Sequence, residues 1–413
     1  MVLRRKKVTA VLAASFALST VLAACGSSDS DGGGSKSGDG GTIKIGNWAS
    51  VTGTGFAFTA PQAEAAAEAA VASINEAGGV NGKKLELVFC DEKFDPNQEV
   101  VCARQMVTEK VAAVVAPEVF YGEGSIPVLE RAKIPVLASQ ALSPDSEYTC
   151  STCYPLGGSY SWYWGVDYAM LKAGVKKFSI LGANNGTSTA ATKIAVDGLK
   201  AAGVDDVKVV NAEADATDVA PQALQAMADG VDGVILTNGP QLQTKSIAAL
   251  RDAGYTGKIG TLTDLLSQEA IDSLGDKAEG VLLSSQVAFP EDTTNAGSVE
   301  FNADMAKYAP DEVADTLALA AWAGVKLFAK IAESADSTDA AGMLKAIQNA
   351  DVSAEDAPAL GGFTVKGRTS PVKDFPQLFI TNSQVGAVKD GKPVQDGQII
   401  DVYEELTNWQ SSN

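Results

Sequence analysis

The sequence predicts an α/β protein of two domains, each a parallel β-sheet flanked by helices. Short β-branched runs alternate with Ala-rich helical patterns, the signature of a parallel sheet covered by helices. The alternation breaks near residue 158 and restarts near residue 177. About 370 residues follow a polar N-terminal tract, too many for one core and suited to two. Residues 42–48 read as the first strand, followed by a Gly/Thr-containing loop at 49–56 and a long helix near 61–77. Residues 84–90 form a second strand, 99–110 a helix, 111–116 a third strand, 125–132 a helix and 134–138 a fourth strand. After the restart, 177–182, 207–211, 231–236 and 259–262 read as strands, with helices near 189–202, 220–228 and 243–253. Loops at the strand ends of such sheets bind ligands, and two sheets in tandem place a cleft between the domains.

Ahead of this body, Arg4, Arg5, Lys6 and Lys7 form a positive n-region and residues 8–21 an h-region too short and too polar to span a bilayer. Small residues, Leu22-Ala23-Ala24, then precede Cys25. The segment resembles a bacterial lipobox, which implies cleavage after Ala24 and lipidation of the Cys25 thiol. The alternative is a simple signal peptide with a chance cysteine. Residues 26–41 contain only Gly, Ser, Asp and Lys and cannot bury enough apolar surface to fold. A tether of that kind spans on the order of 20 to 25 Å. The expected organisation is therefore a leader at 1–24 and a lipidated, disordered tether at 25–41. No later segment is long and apolar enough to cross a membrane.

The composition narrows the chemistry. Without residues 1–24, which carry four of the 32 basic groups and none of the 51 acidic ones, the net charge falls from −19 to about −23. Such a surface disfavours nucleic acid as a partner and favours solubility. The chain has no histidine, which removes the usual general base, the commonest transition-metal ligand and the Ser-His-Asp and Cys-His arrangements together. No cofactor or metal is expected, and an enzyme would have to rely on pairs of Asp and Glu, which here are scattered. Neither Gly53-Thr54-Gly55 nor Gly254-Tyr255-Thr256-Gly257-Lys258 completes a phosphate-binding motif. With Cys25 assigned to lipid, Cys90, Cys102, Cys150 and Cys153 remain, an even number in an exported chain. Of three possible pairings, Cys90 with Cys102 and Cys150 with Cys153 is favoured because each closes a short loop. The Cys150-Ser151-Thr152-Cys153 spacing also occurs in redox centres and zinc half-sites, but it lies in a polar loop and lacks further ligands.

Several stretches then carry a resemblance. Ile43-Lys44-Ile45-Gly46 before Thr52-Gly53, the run AAVASINEAGGVNGKKLEL at 69–87, DEKFDP at 91–96, VAAVVAP at 111–117, Lys133-Ile134-Pro135-Val136 and ALRDAGYTG from Ala249 are all similar to the leucine/isoleucine/valine-binding type of ABC-importer substrate-binding protein. The resemblance covers residues 42 to about 394, thins after Phe363 and does not place residues 395–413. It implies the type I periplasmic-binding fold: two Rossmann-like lobes joined by a three-strand hinge, with lobe one at 42–158 plus 289–367 and lobe two at 159–288 plus 368–413.

The same resemblance implies a ligand site. Lobe one would offer Ser50 and Phe58, then Val119, Phe120 and Tyr121, then Gln140, Ala141 and Leu142. Lobe two would offer Asn184 and Asn185, Asn238 and Gly239, and Thr263 and Asp264, the last pairing with a ligand ammonium or else capping a helix at 265–271. This chain has Leu142 where the family usually presents a hydroxyl, Glu118-Val119-Phe120-Tyr121 in place of a Ser-rich loop, and Asn184-Asn185 where a Tyr is common. Trp48, Tyr160, Trp162, Tyr163 and Trp164 are further aromatic candidates, or core and hinge packing. The expected function is lipid-anchored, extracytoplasmic delivery of a small molecule to an ABC permease with a separate ATPase. The ligand would be a branched-chain amino acid or a related amide or aromatic metabolite, and the protein a monomer. The alternatives are a ligand-sensing receptor component on the same fold and an exported enzyme using Asp/Glu pairs.

Overall fold

The computed structural model describes residues 41–53 and 59–412. Cys25, the leader, the tether before residue 41 and Phe58 lie outside the described residues. The chain runs β1 (Thr42–Ala49), α1 (Pro61–Glu76), β2 (Lys84–Asp91), α2 (Pro96–Glu109), β3 (Val114–Val115), α3 (Gly122–Ala132), β4 (Val136–Leu137), α4 (Pro144–Glu147) and β5 (Cys153–Tyr154). These strands form one parallel sheet in the order β2-β1-β3-β4-β5. Side chains alternate across it as the pleat requires. Ile43, Ile45, Val115 and Leu137 join one core layer, while Trp48, Val114 and Val136 join the layer on the opposite face, with Cys102, Met106 and Leu129 from α2 and α3.

The third and fourth strands are shorter than the expected 111–116 and 134–138. The ladder continues around them, with Ala116 N donating to Leu137 O at 2.8 Å and Ala138 N to Tyr154 O at 2.9 Å. Ala116 (φ 48°) and Ala138 (φ 55°), however, turn into the left-handed region and end the extended backbone. Each left-handed alanine costs on the order of 1 kcal/mol. Helix α2 starts three residues before the expected 99 because Asp95 accepts from the Asn97 and Gln98 amides and Pro96 occupies the first turn.

The second sheet is built from α5 (Gly158–Lys172), β6 (Phe178–Ala183), α6 (Gly186–Ala201), β7 (Val207–Ala212), α7 (Ala220–Ala226), β8 (Gly233–Thr237), α8 (Pro240–Asp252), β9 (Lys258–Leu262), α9 (Gln268–Leu274) and β10 (Leu282–Ser285). The chain then leaves it for α10 (Ala296–Tyr308), α11 (Thr316–Ala332), α12 (Ala340–Gln348) and the small hairpin pair β11 (Asp351–Val352) and β12 (Phe363–Thr364). It returns as β13 (Asn382–Lys389), β14 (Lys392–Gln395), β15 (Ile400–Asp401) and α13 (Val402–Ser412). Strands β7-β6-β8-β9-β10 are parallel, and β13 adds antiparallel to β10. The α/β class with parallel sheets covered by helices is thus the fold the periodicity anticipated.

The excursion matters for packing. Phe301 from α10 and Trp322, Val325 and Phe328 from α11 share the core layer of Ile43 and Ile45, so residues 296–348 belong to the first sheet although they follow the second in sequence. The three crossings meet: Gly158 N donates to Gln286 Oε1 at 3.0 Å, and a Cβ on Gly157 would fall 2.7 Å from Ile380 O. Tyr160, Trp162, Tyr163 and Trp164 are buried with Phe178 and Ile180, which is the core-packing alternative. The unplaced tail contributes Val402 and Leu406 to that same cluster, with Tyr403 tilted against Trp164 at 5.2 Å between ring centroids.

Both favoured disulfides are formed. Cys90–Cys102 ties β2 to α2 and Cys150–Cys153 closes the turn into β5. Both cysteines of the second pair are buried, and Cys153 lies within a strand rather than at a helix start, so this is a staple.

Helix α11 seats directly on the left-handed strand ends. A Cβ at Gly324 would lie 2.6 Å from the Ala116 Cβ and 3.5 Å from the Ala138 Cβ. Neither neighbour has a torsion that moves it aside. Gly324→Ala is expected to destabilise the protein by about 1–3 kcal/mol, as overpacking does. Urea unfolding of the two chains measures this; equal midpoints would show that α11 shifts freely on the sheet.

Candidate functional site

In an open parallel sheet the ligand crevice lies beyond the strand C-termini, where neighbouring connections diverge. In the first sheet that point is between β1 and β3, and in the second between β6 and β8. Ser50 follows β1 and Glu118 follows β3; Asn184 and Asn185 follow β6, and Asn238 and Gly239 follow β8. Most of the candidate residues therefore stand beside one of two such crevices, with Gln140–Leu142 following β4 and Thr263–Asp264 following β9.

The first-sheet loops satisfy their own backbone donors with carboxylates. Ser50 N donates to Glu118 Oε2 at 3.2 Å. Val51 N and Thr52 N donate to Asp91 Oδ1 at 3.0 and 3.2 Å, and Lys93 N donates to the same oxygen at 3.1 Å. Phe120 N and Tyr121 N donate to Glu99 Oε2 at 3.0 and 2.8 Å, and Ser143 N donates to Glu147 Oε2 at 2.9 Å. The amides at 120 and 121, which the family resemblance would give to a ligand, hold Glu99 instead. Of the side chains there, Val119 and Ala141 belong to core clusters, Leu142 is half-buried, and Gln140 accepts from Gln286 Nε2 at 3.4 Å.

Further carboxyls are buried at this edge. Glu118 Oε1 is buried without a hydrogen-bond partner, whereas the Glu92 carboxyl is bonded by the Ser50 hydroxyl and the Phe94 and Asp95 amides, and Glu147 by the Ser139 hydroxyl and the Ser143 and Ala141 amides. Glu92, Glu118 and Glu147 are each at most 1% exposed. Burial pushes the Glu118 and Glu147 carboxyls up to about 8 and Glu92 up to about 7. Neighbouring carboxylates push in the same direction: Glu92 and Asp315 on Glu118, and Glu99 on both Glu92 and Glu147. None of the ion pairs among the described residues involves these acids.

The second-sheet candidates are mostly engaged locally. Asn185 caps α6 by accepting from Ser188 N at 2.8 Å, and Asn184 Nδ2 donates to Glu213 at 2.6 Å. Asn238 Nδ2 donates to Leu181 O and Ser246 Oγ, each at 3.2 Å, leaving its buried Oδ1 without a partner. Gly239 caps α8 without a side chain. Asp264 is not a helix cap: it lies in a single 3₁₀ turn, and Ser267 caps α9 by accepting from Ala270 N at 3.3 Å. Its carboxylate accepts from Thr316 Oγ1 at the start of α11, joining the second-sheet side to the first. Burial raises Asp264 to about 6, against the pull of the Thr316 and Thr263 hydroxyls.

Beside that contact is a cavity of about 200 Å³ lined by Thr263, Asp264, Glu291, Asp315 and Thr316 among others, with no Lys or Arg in its lining. Asp315 is held by Gln62 Nε2 at 2.8 Å, at the start of α1. The residues that sequence reasoning missed are thus Glu92, Glu99, Glu118, Glu147 and Asp315. The available signal was position: Glu92 and Glu118 stand just past the ends of apolar β runs, where an exposed acid would normally cap the next helix, and neither does.

A family profile described as periplasmic binding protein matches residues 42–375. The leucine-, isoleucine-, valine-, threonine-, and alanine-binding protein of Pseudomonas aeruginosa is 35% identical over 109 residues, 24% of this chain and 29% of that protein. The chain thus aligns with less than a third of the length of the curated relatives it matches. A branched-chain amino acid transporter substrate binding protein from Streptococcus pneumoniae, solved in complex with isoleucine, superposes with a TM-score of 0.64 at 19% identity, covering 87% of this chain and 99% of that one. A fatty acid ABC transporter substrate-binding protein from Thermomonospora curvata gives 0.66 at 17% identity, covering 88% and 94%. At these identities the likeness is one of fold.

The raised carboxyls set a pH dependence. Between the ordinary Glu pKa near 4.5 and the folded values of about 7 to 8, the folded chain keeps protons that the unfolded chain has released. The stability they lend is complete at the acidic end and is lost as pH rises through that window. The melting temperature is expected to fall from pH 5 to pH 8.5, and Glu118→Gln to reduce the slope and melt no lower than the parent at pH 8.5. An unchanged slope in the variant would mean that Glu118 is ionised throughout.

Proposed function

The chain belongs to the periplasmic binding protein family, and on that premise we propose that it is an extracytoplasmic solute-binding protein that captures a small molecule between two lobes and presents it to an ABC permease powered by a separate ATPase. Lobe one is residues 42–158 plus 289–367 and lobe two 159–288 plus 368–413, joined by the three crossings at Gly157–Gly158, Gln286 and Ile380. The observation that carries the reading is the placement of both sheets' divergence points, β1/β3 and β6/β8, at the C-terminal strand ends where family members hold solutes. The lobes meet through neutral and charge-assisted hydrogen bonds near the crossings, among them Gly158 with Gln286, Asn382 with Leu360, and Gln384 and Gln395 with Asp292, and at the loops through Gln140 with Gln286 and Asp264 with Thr316. Binding returns the ligand unchanged; no catalytic role is proposed for any side chain.

Ser50, Phe58, Val119, Phe120, Tyr121, Gln140, Ala141, Leu142, Asn184, Asn185, Asn238, Gly239, Thr263 and Asp264 stand as the proposed contact positions, Val119 and Ala141 through their backbone only. Lipid on Cys25 would keep the protein at the membrane, since two or more acyl chains hold a protein stably.

A thermal-shift screen of the exported protein against amino acids, amides, aromatic acids, fatty acids and amines tests the binding role. A ligand at about 100 times its dissociation constant adds about 2.7 kcal/mol, a clear rise in melting temperature, whereas silence across the panel together with turnover of any member would replace binding by catalysis. Cys25→Ala is expected to move the protein from the membrane fraction to the soluble fraction; retention in the membrane would remove the lipid anchor.

A further inference from the structure

Two loops of the first sheet bring aromatic rings together at its C-terminal edge. Phe94, from the loop after β2, lies 4.8 Å from the Phe120 ring and 5.7 Å from the Tyr121 ring between centroids, with interplanar angles of 69° and 64°. Strand β1 separates β2 from β3. Adjacent strands stand about 4.8 Å apart, so the loops after β2 and β3 start about 10 Å apart and these rings meet past the end of β1. That is the divergence point of the first sheet, where a crevice forms. Tyr121 Oη donates to Phe94 O at 3.3 Å and ties the two loops together. All three side chains are half-buried, each with part of its surface open to solvent. The backbone is bent to deliver Phe94. Lys93 (φ 59°) and Phe94 (φ 53°) are consecutive left-handed residues, a conformation that bulky side chains rarely adopt. It persists because surrounding bonds over-determine it: Lys93 N donates to Asp91 Oδ1 at 3.1 Å, Phe94 N to the Glu92 carboxyl, and Asp95 N to Glu92 O at 3.1 Å. Glycine at 94 would make the same turn without strain. The strained position instead carries a ring beside the crevice, and strain of this kind gathers at ligand clamps.

Steeply inclined rings form a corner in which a third ring meets one by offset stacking and another by its edge. We propose that the solute carries an aromatic ring held in the corner of Phe94, Phe120 and Tyr121, and that Phe94 is a specificity-determining contact supplied by the loop after β2. This rests on the solute-binding reading above and narrows its ligand class to aromatic compounds. The other chemistry that such rings recognise is a quaternary ammonium. The acids buried beside Tyr121, Glu92 and Glu99, are driven toward their neutral form by burial, which takes away the charge that a cation would seek. A neutral ring loses nothing by that neutralisation.

The test is isothermal titration of the exported protein with three pairs of probes that differ only in the ring: phenylalanine and cyclohexylalanine, phenylacetamide and cyclohexylacetamide, phenylacetate and cyclohexylacetate. The expected result is that at least one pair binds and that its aromatic member binds about three- to tenfold tighter, the scale of an aromatic contact beyond its buried area. Phe94→Gly and Tyr121→Leu, on separate loops, should each bring that ratio to about one. Loss of packing alone would weaken both members of a pair alike and leave the ratio where it was. A saturated member binding as tightly as its aromatic counterpart, or a ratio unchanged in both variants, would overturn the proposal. So would choline binding that Phe94→Gly abolishes, with none of the six probes bound, which would make the corner a cage for a quaternary ammonium. Silence from all six probes, when leucine or another ringless compound of the thermal-shift panel binds, overturns the ligand class and leaves the solute-binding function standing.

Discussion

The constraint that governs this molecule is where the backbone N–H groups go once the first sheet's ladder ends. Parallel strands leave their C-terminal loops with donors that must find acceptors, and here the chain supplies them from its own acids: Glu118 for Ser50, Asp91 for Val51 and Thr52, Glu99 for Phe120 and Tyr121, and Glu147 for Ser143. A carboxylate accepting several amides orders a loop more firmly than water does, because bonds to a charged acceptor are worth about twice neutral ones. Two consequences follow from this choice. The loops are set in place without a ligand, and the innermost acids, Glu118, Glu147 and Glu92, hold their protons to well above the ordinary carboxylate range.

The price appears in the protonation states. Glu118 has Glu92 and Asp315 as charged neighbours, and Glu92 and Glu147 each have Glu99, so burial and repulsion act in concert. Asp91, by contrast, accepts three backbone amides and the Thr52 hydroxyl while remaining less buried, and its carboxyl is held below the ordinary range. The same residue type in neighbouring loops is thus driven in opposite directions by the balance of hydrogen bonding against desolvation.

Much of this fold was legible in the sequence, because a parallel sheet covered on both faces writes itself as short continuous apolar runs separated by amphipathic helices, and β1, β2, β6 and β9 fall within a residue or so of expectation. The exceptions have physical causes. Runs 111–116 and 134–138 look uniform, but Ala116 and Ala138 leave the extended region where α11 presses on them, and alanine does not advertise a left-handed φ as glycine does. Residues 395–413 are placed by tertiary packing of Val402 and Leu406 against α5, which no local pattern encodes. At the site, the loop positions were readable because they follow strand ends, yet their partners were not. Glu99 reaches Phe120 and Tyr121 from the first turn of α2, and Asp264 meets Thr316 from a distant helix. A contact spanning some fifty residues has no sequence period, and an acid on a helix reads as solvated surface until the fold turns it inward.

The joints between the halves follow a different rule from the loops. Where the chain crosses between sheets, the polar contacts are hydrogen bonds rather than ion pairs: Gln286 accepts from Gly158 N and reaches Gln140, and Gln384 accepts from Phe289 N and donates to the buried Asp292 carboxylate. A neutral hydrogen bond contributes on the order of 1 kcal/mol net, while breaking a buried ion pair by removing one partner costs about 3–5 kcal/mol. Neutral joints can exchange partners with each other or with water at small cost, whereas Asp292, which also accepts from Gln395 Nε2 and from the Thr294 and Asn295 amides, is fixed. Glycine at 157 and 158 lets Ile380 O and Ala141 approach the first crossing closely. The crossings are accordingly tight in packing, with one carboxylate, Asp292, bonded by glutamines from β13 and β14 to hold the return of the chain in register.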